Sequence, residues 1–242
     1  MADFINPTYE QIWNKEGFIV IENIFTDTEI EQLRDEILTH AENKANIISN
    51  CGGYSIVDFI QYHPSLTLCK QILDNPKIHT HLKQVFNGDN YRFIGHNDIG
   101  VNRSGGWHKD VLNNGPGYNL TKYTTPNVWS THEGEKQQII KLAIYLQDHH
   151  DNNQALEIVP NSNRTPSMDA SGSVYTHPKK GDILIFDQRI THRGNSQGTT
   201  IPRIMISYGL GRKNIFSDNF EKGTRIRQDY QHNNFRNKGN IF

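Results

Sequence analysis

YRFIGHNDIGVN (residues 91–102), IIKLAIYL (139–146), ALEIVP (155–160), GDILIFD (181–187) and RIMISYGL (203–210) are short, β-branched and apolar, with polar loops between them. Runs of this length with turn residues at their ends read as strands of an antiparallel sandwich or barrel. Upstream the period changes. FIVIENIF (18–25) reads as a buried strand. Thr26 stands three residues before Glu29, the spacing of a capping box, and Ile30, Leu33, Ile37 and Ala41 follow at helical intervals. This predicts a helix from about 27 to 42. Shorter helical patterns follow Pro64, break at Asn75-Pro76, and resume through Ile78, Leu82 and Val85. Helices first and strands afterwards predict an α+β fold with helices packed outside a double-sheet core.

At 242 residues the chain suits one domain, and no linker rich in Pro, Gly or Ser divides it. The expected layout is a single domain over 1–242. A helical part covers about 1–88, a strand-rich core about 89–212, and a C-terminal helix and tail 213–242. A net charge of −1 removes the footprint of a general nucleic-acid binder. No apolar run is long enough to span a bilayer. The first residues, MADFINPTYE, carry no basic n-region, so no secretory signal is expected and the cytoplasm is the default address. Cys51 and Cys69 are too few for a disulfide framework, whereas there are twelve histidines. Any metal here is therefore expected to have nitrogen and oxygen ligands.

Two strings concentrate that chemistry. In GGWHKDV (105–111), His108 and Asp110 are two apart, so on an extended segment both face one side. In FDQRITHRGNS (186–196), His192 lies just past an apolar strand, and Arg203 opens the next one eleven residues later. Two histidines and one carboxylate on one face of Fe(II) leave three positions for other ligands. An arginine fork suits the far carboxylate of a dicarboxylic acid.

With their flanks, these strings resemble the phytanoyl-CoA dioxygenase-like family of iron- and 2-oxoglutarate-dependent oxygenases. The matching stretches are GFIVIENIFTDTEIEQLRDEI (17–37), GGWHKD (105–110), IKLAIYLQD (140–148), LEIVPNSNR (156–164), GDILIFDQRITHRGN (181–195) and the Arg203 strand. The resemblance implies a double-stranded β-helix, a cupin-like jelly roll flanked by N- and C-terminal helices. It implies His108, Asp110 and His192 as Fe(II) ligands and catalytic residues, with Arg203 anchoring 2-oxoglutarate and Trp107 beside the cosubstrate. Asn97, Lys141, Tyr145 and Ser207 are further candidates for cosubstrate contacts, and strand parity decides which of them face the site. O2 is the second cosubstrate, and the implied outcome is hydroxylation of a small polar molecule with release of succinate and CO2. Retention of Asp110 argues against the halogenases, in which a small residue replaces the carboxylate. Gln154-Ala155-Leu156 and Pro160-Asn161-Ser162-Asn163 depart from the family's Gly-Gly-Leu and Pro-Gly-Ser-His, which bears on loop shape and substrate contacts. Two other readings stay open: a non-catalytic jelly-roll binding module, and a cupin-like isomerase or hydrolase using the metal as a Lewis acid. The oligomeric state is not legible.

The remaining candidates have plainer readings. His149-His150-Asp151 reads as a solvated turn, and His79 and His81 as helix-surface residues. His96 is a core, surface or barrel-lining residue. His132, Glu133 and Glu135 read as loop groups facing water. Tyr118, Tyr123 and Trp129 fit either a substrate lid or ordinary loop packing. Arg189 and Arg193 suit an anionic substrate or structural ion pairs, and Lys222, Arg225 and Arg227 an exposed helix face.

Overall fold

The computed structural model describes residues 9–42, 48–50, 53–123, 126–129, 138–149, 152–195 and 201–236. Helix α1 (Tyr9–Glu16) leads into strand β1 (Phe18–Ile21). The strand ends earlier than the apolar run suggests, because Asn23 takes a left-handed backbone conformation (φ 60°). Helix α2 (Asp27–Glu42) starts at the expected capping box. The Glu29 carboxylate accepts from the Thr26 amide at 2.7 Å, and the Thr26 hydroxyl accepts from the Glu29 amide at 3.3 Å. Two further strands follow, β2 (Ile48–Asn50) and β3 (Gly53–Val57). Helices α3 (Phe59–Tyr62), α4 (Thr67–Gln71) and α5 (Pro76–Val85) come next. Pro76 opens α5, and the Asn75 side chain caps it by accepting from the Lys77 amide.

The rest of the sheet framework is β4 (Tyr91–Val101), the small hairpin β5 (Asn114–Gly115) and β6 (Tyr118–Asn119), β7 (Ile139–Tyr145), β8 (Leu156–Ile158), β9 (Val174–Thr176), β10 (Ile183–Asp187), β11 (His192–Gly194) and β12 (Ile204–Arg212). Helix α6 (Ile215–Arg236) follows. A seven-stranded sheet in the order β1-β10-β7-β12-β4-β3-β2 faces a three-stranded sheet in the order β11-β8-β9, and every pairing is antiparallel. This is the double-stranded β-helix. The large sheet takes in β1, within the stretch read as a strand, and β2 and β3 from the part read as helical. Of these, β2 and β3 carry too few apolar residues to register as strands.

Period-two alternation explains how both faces of the large sheet are used. Leu142, Ile144, Ile183, Ile185, Ile204 and Ile206 face outward and pack under α2, α4 and α5. Ala143, Tyr145, Leu184 and Phe186 face inward and meet Leu156 and Ile158 of the small sheet. A third cluster, Val111, Leu120, Val128, Phe216 and Phe220, joins the long loop to α6, with Tyr118, Tyr123 and Trp129 packed on it. These three aromatics therefore serve packing. Part of that loop, with His132, Glu133 and Glu135, lies outside the described residues.

A histidine cluster sits where α2, the segment after α3 and α6 meet. His40 Nε2 lies 2.8 Å from His63 Nδ1, and His232 meets His63 edge-on. Burial, together with neighbouring His40 and His232, pushes the His63 pKa down to about 4. An unfolded histidine titrates near 6.5, so between those values the unfolded chain binds the extra proton. Stability is thus undiminished by this group above pH 6.5 and falls as the pH drops toward 4, by about 1.4 kcal/mol per unit. Replacing His63 by Gln is expected to flatten that part of a urea-unfolding pH series.

Candidate functional site

A pair of backbone hydrogen bonds builds the site. The His108 amide donates to the His192 carbonyl and the His192 amide to the His108 carbonyl, both at 3.0 Å, forming an isolated antiparallel bridge. Residues so bridged project their side chains to the same face, and the two imidazole centroids lie 4.2 Å apart. Asp110, two residues on, opens a short 3-10 turn and returns to that face. Its Oδ1 is 3.6 Å from His108 Nε2 and its Oδ2 is 4.0 Å from His192 Nε2. One ligand atom from each of the three lies within 4.8 Å of the others, the only such cluster of His, Cys, Asp and Glu among the described residues. Lys109 between them points the opposite way, where its ammonium donates to the carbonyls of Ser162 (2.6 Å) and Arg189 (2.8 Å).

The donor set fits a divalent metal. His108 Nδ1 is 2.8 Å from the Gly106 carbonyl, and His192 Nδ1 is 3.0 Å from the Ile190 carbonyl. A carbonyl only accepts, so Nδ1 carries the proton of each neutral ring and the Nε2 lone pair faces Asp110. Burial pushes the His192 pKa down to about 3, so the ring is neutral at pH 7. Burial opposes ionisation of Asp110, yet the Lys141 ammonium, 2.7 Å from Oδ2, holds that carboxyl well below the usual range. Two imidazole nitrogens and one carboxylate, with no sulfur, form a ligand set for Fe(II).

Arg203, just before β12, is buried on the wall of the same cavity. Its guanidinium stacks over the Tyr145 ring, 5.1 Å from the centroid, and donates to the carbonyls of Gln154 (2.7 Å) and Arg103 (3.2 Å). The cavity, open to solvent at its mouth, spans about 830 Å³ of empty space with the solvent at its opening included, and Leu156, Phe186 and Met205 form its apolar wall. Lys141 and Ser207 also line it.

The other three cosubstrate candidates lie elsewhere. Asn97 faces the helices, where its amide donates to the Asp58 carboxylate at 2.7 Å and its oxygen accepts from the Ile60 amide at 2.8 Å. The parity of β4 turns it away and puts His96, Asp98 and Gly100 on the cavity. Tyr145 supports Arg203 from behind without lining the cavity. Trp107 packs flat beneath Arg193, 4.8 Å from its guanidinium carbon, and is not on the cavity wall.

Four lining residues went unassigned or were misread in the sequence: His96, Asp98, Arg103 and Arg227. Between the pairs Asn97–Tyr208 and Phe93–Leu210, β4 takes four steps where β12 takes two. Gly95, at φ 82°, absorbs this irregularity next to His96. Arg227 corrects the exposed-face reading of α6. Lys222 and Arg225 are exposed, but Arg227 is buried and reaches into the cavity. Its Nη2 donates to Asp98 Oδ2 at 3.0 Å and to His96 Nδ1 at 2.9 Å, so His96 Nε2 bears the proton and faces Ser207 Oγ at 3.3 Å. The alternation His96-x-Asp98-x-Gly100 was the available signal for β4; nothing comparable marks Arg227. Arg189 and Arg193 pair with Asp187 and Glu157 as structural ion pairs. His149 is buried, with Nε2 3.0 Å from the Gln147 amide nitrogen, which corrects the solvated-turn reading; His150 and Asp151 lie outside the described residues.

Comparison with known proteins agrees with this geometry. The chain is 26% identical over 213 residues to dioxygenase sphC of Aspergillus fumigatus, covering 79% of this chain and 54% of that protein, so it spans about half the length of this curated relative. Among solved structures it resembles the epimerase SnoN from nogalamycin biosynthesis, in complex with Fe3+, alpha-ketoglutarate and nogalamycin RO. The TM-score is 0.63 at 12% identity, covering 83% of this chain and 81% of that one. It also resembles HygX from Streptomyces hygroscopicus with nickel and 2-oxoglutarate bound. Here the TM-score is 0.60 at 15% identity, covering 86% and 88%. Likeness at such identities shows the fold alone. The phytanoyl-CoA dioxygenase (PhyH) family model matches residues 13–205, most of the described fold, with His108, Asp110 and His192 inside it. The chain belongs to the phytanoyl-CoA dioxygenase family.

Proposed function

We propose that this chain is an Fe(II)- and 2-oxoglutarate-dependent dioxygenase that hydroxylates an unactivated C–H bond of a small polar metabolite or natural-product intermediate, releasing succinate and CO2. The observation that carries the reading is that His108, Asp110 and His192 line one cavity together with the buried cation Arg203. When bound, iron and 2-oxoglutarate supply the oxidising chemistry. The protein's residues supply the placement. His108 and His192 present their Nε2 atoms, each ring held by its Nδ1–carbonyl contact. Lys141 keeps Asp110 ionised and fixes the carboxylate's direction. Arg203, stacked on Tyr145 and tied to two carbonyls, offers its fork to the distal carboxylate of 2-oxoglutarate. Leu156, Phe186 and Met205 exclude water along the same wall. No described helix is long and apolar enough to cross a membrane. The substrate is sought among small molecules, and the reading invokes no nucleic-acid or membrane partner.

Anaerobic addition of Fe(II) and 2-oxoglutarate is expected to give a visible charge-transfer band near about 500 nm, the mark of a keto acid chelating iron. Absence of the band in iron-loaded protein would overturn the reading. A succinate-release screen across metabolite classes, read by mass for a gain of one oxygen, then identifies the substrate. A non-catalytic module would form no such band, and a Lewis-acid isomerase would turn over without O2. Arg203→Ala is expected to raise the KM for 2-oxoglutarate about 10- to 100-fold, the equivalent of one or two charge-assisted hydrogen bonds. The same variant should leave Fe(II) affinity within about threefold, because no ligand atom is removed.

A further inference from the structure

The cavity carries more positive charge than its own carboxylates and the proposed cosubstrate use. Its charged walls are Arg103, Lys141, Arg203 and Arg227 against Asp98 and Asp110. Two of the cations are matched inside the fold: Arg227 with Asp98 at 3.0 Å, and Lys141 with Asp110 at 2.7 Å. Arg203 is the proposed 2-oxoglutarate anchor. A metal dication and a 2-oxoglutarate dianion together add no net charge, so the excess of two cations over carboxylates persists on loading even though Arg203 gains the cosubstrate carboxylate as its direct partner. Arg103 is left over, with no carboxylate of a described residue within ion-pair distance.

The fold places Arg103 with care. It follows β4 directly, and Asn102, at φ 52°, turns the chain there. The Asn102 amide donates to the Arg203 carbonyl, and the Arg203 amide to Asn102 Oδ1, both at 2.8 Å. The Arg103 carbonyl accepts from the Arg203 guanidinium, and the Gly105 amide donates to the Gly194 carbonyl at 3.0 Å. The aliphatic stem of Arg103 then runs across Gly100, where a Cβ would stand 3.2 Å from Arg103 Cδ. Glycine at 100 thus leaves the floor clear for an arginine stem entering the cavity. The charge reaches inward, since Arg103 helps hold down the pKa of Asp98 and opposes protonation of Arg203. A half-buried arginine whose backbone and stem are fixed to this wall, with no counter-ion among the described residues, suits an oxyanion.

We propose that the substrate carries an anionic group, a carboxylate or a phosphate ester, and that Arg103 receives it at the cavity mouth. This rests on the dioxygenase reading and names the substrate class of that same site. The test uses full-length protein loaded with Zn(II) in place of iron and with 2-oxoglutarate, which is inert and diamagnetic. Acetate and methyl phosphate are titrated as probes, with acetamide as the neutral control, while the backbone amide resonances of Ser104 and Gly105 are followed by NMR. The expected result is a saturable shift with a dissociation constant of about 1–10 mM for at least one oxyanion and none for acetamide. The tighter of the two identifies the class. Arg103→Gln should weaken it at least about tenfold and Arg103→Lys should retain most of it, the charge being kept while the fork is lost. No saturation up to about 100 mM, or an unchanged affinity in Arg103→Gln, overturns the proposal. If 2-oxoglutarate itself fails to bind the zinc-loaded protein, the dioxygenase reading fails, and the Arg103 titration is still read on the metal-loaded protein. If 2-oxoglutarate binds and Arg103 does not respond, the substrate inference alone falls.

Discussion

His192→Ala is expected to abolish 2-oxoglutarate turnover while leaving the fold in place. The backbone half of the His108–His192 bridge survives the substitution, since both of its hydrogen bonds run between main-chain atoms. What is lost is the Nε2 donor and the edge-on contact of its ring with Phe186, 4.8 Å between centroids. Disturbing an outer hydrogen-bond partner of a metal ligand already costs about 10- to 100-fold in affinity or activity. Removing the ligand itself should cost on the order of a thousandfold or more in succinate release, with a matching loss of Fe(II) affinity. Asp110→Ala should behave alike and also strand the Lys141 ammonium in the wall. His177→Ala is the control. His177 is exposed and its Nε2 lies 3.0 Å from Asn152 Oδ1, away from the cavity, so its loss should leave both readouts unchanged. Full succinate release in His192→Ala would refute the ligand assignment.

The largest expected loss of stability belongs to Asp187→Ala, a change that touches no cavity wall. Asp187 is fully buried at the end of β10. Its Oδ1 accepts from the Arg189 amide at 2.9 Å and from Arg189 Nε at 2.8 Å, its Oδ2 accepts from Arg189 Nη2, and Asn163 donates to Oδ2 at 3.2 Å. Arg189 also reaches the Val128 carbonyl at 2.6 Å. Truncating the carboxylate leaves a buried guanidinium with no counter-charge, which typically costs about 3–5 kcal/mol. For a chain of this size that is a fall of about 10 °C or more in melting temperature. The pair also shapes the turn that carries Ile190, whose carbonyl holds His192 Nδ1. The surviving folded fraction should therefore bind Fe(II) more weakly as well. A melting temperature within about 2 °C of the parent would rule out this role.

The parts of this molecule that announce themselves in the sequence are those set by short-range periodicity. The α2 capping box, the five apolar strands and the His-x-Asp spacing all depend on residues within a turn or two of one another. Parity and long-range partners decide the rest. Asn97 and His96 are equally polar neighbours on one strand. Only the sheet's orientation, with a bulge centred on Gly95, assigns the first to the helices and the second to the cavity. Arg227 departs from the local pattern because a charged residue in a polar helix ordinarily faces water. Its burial is compensated by Asp98, more than a hundred positions earlier, and no local pattern encodes that pairing. Arg103 is not legible locally, because a lone arginine after a strand has no signature until the position of Arg203 is known.

The reach of Arg227 into the cavity bears on how the protein is made. One wall of the pocket comes from α6, and the edge strand β1 pairs with β10 from the far half of the chain. A nascent chain emerging from the ribosome therefore exposes His96, Asp98 and His108 long before the α6 residue that covers them. Contacts of such sequence separation form slowly. The site is thus one of the last features to close during biogenesis, and a truncation or fusion that disturbs α6 is felt at the reaction centre as an opened pocket, even when the sheets themselves have folded.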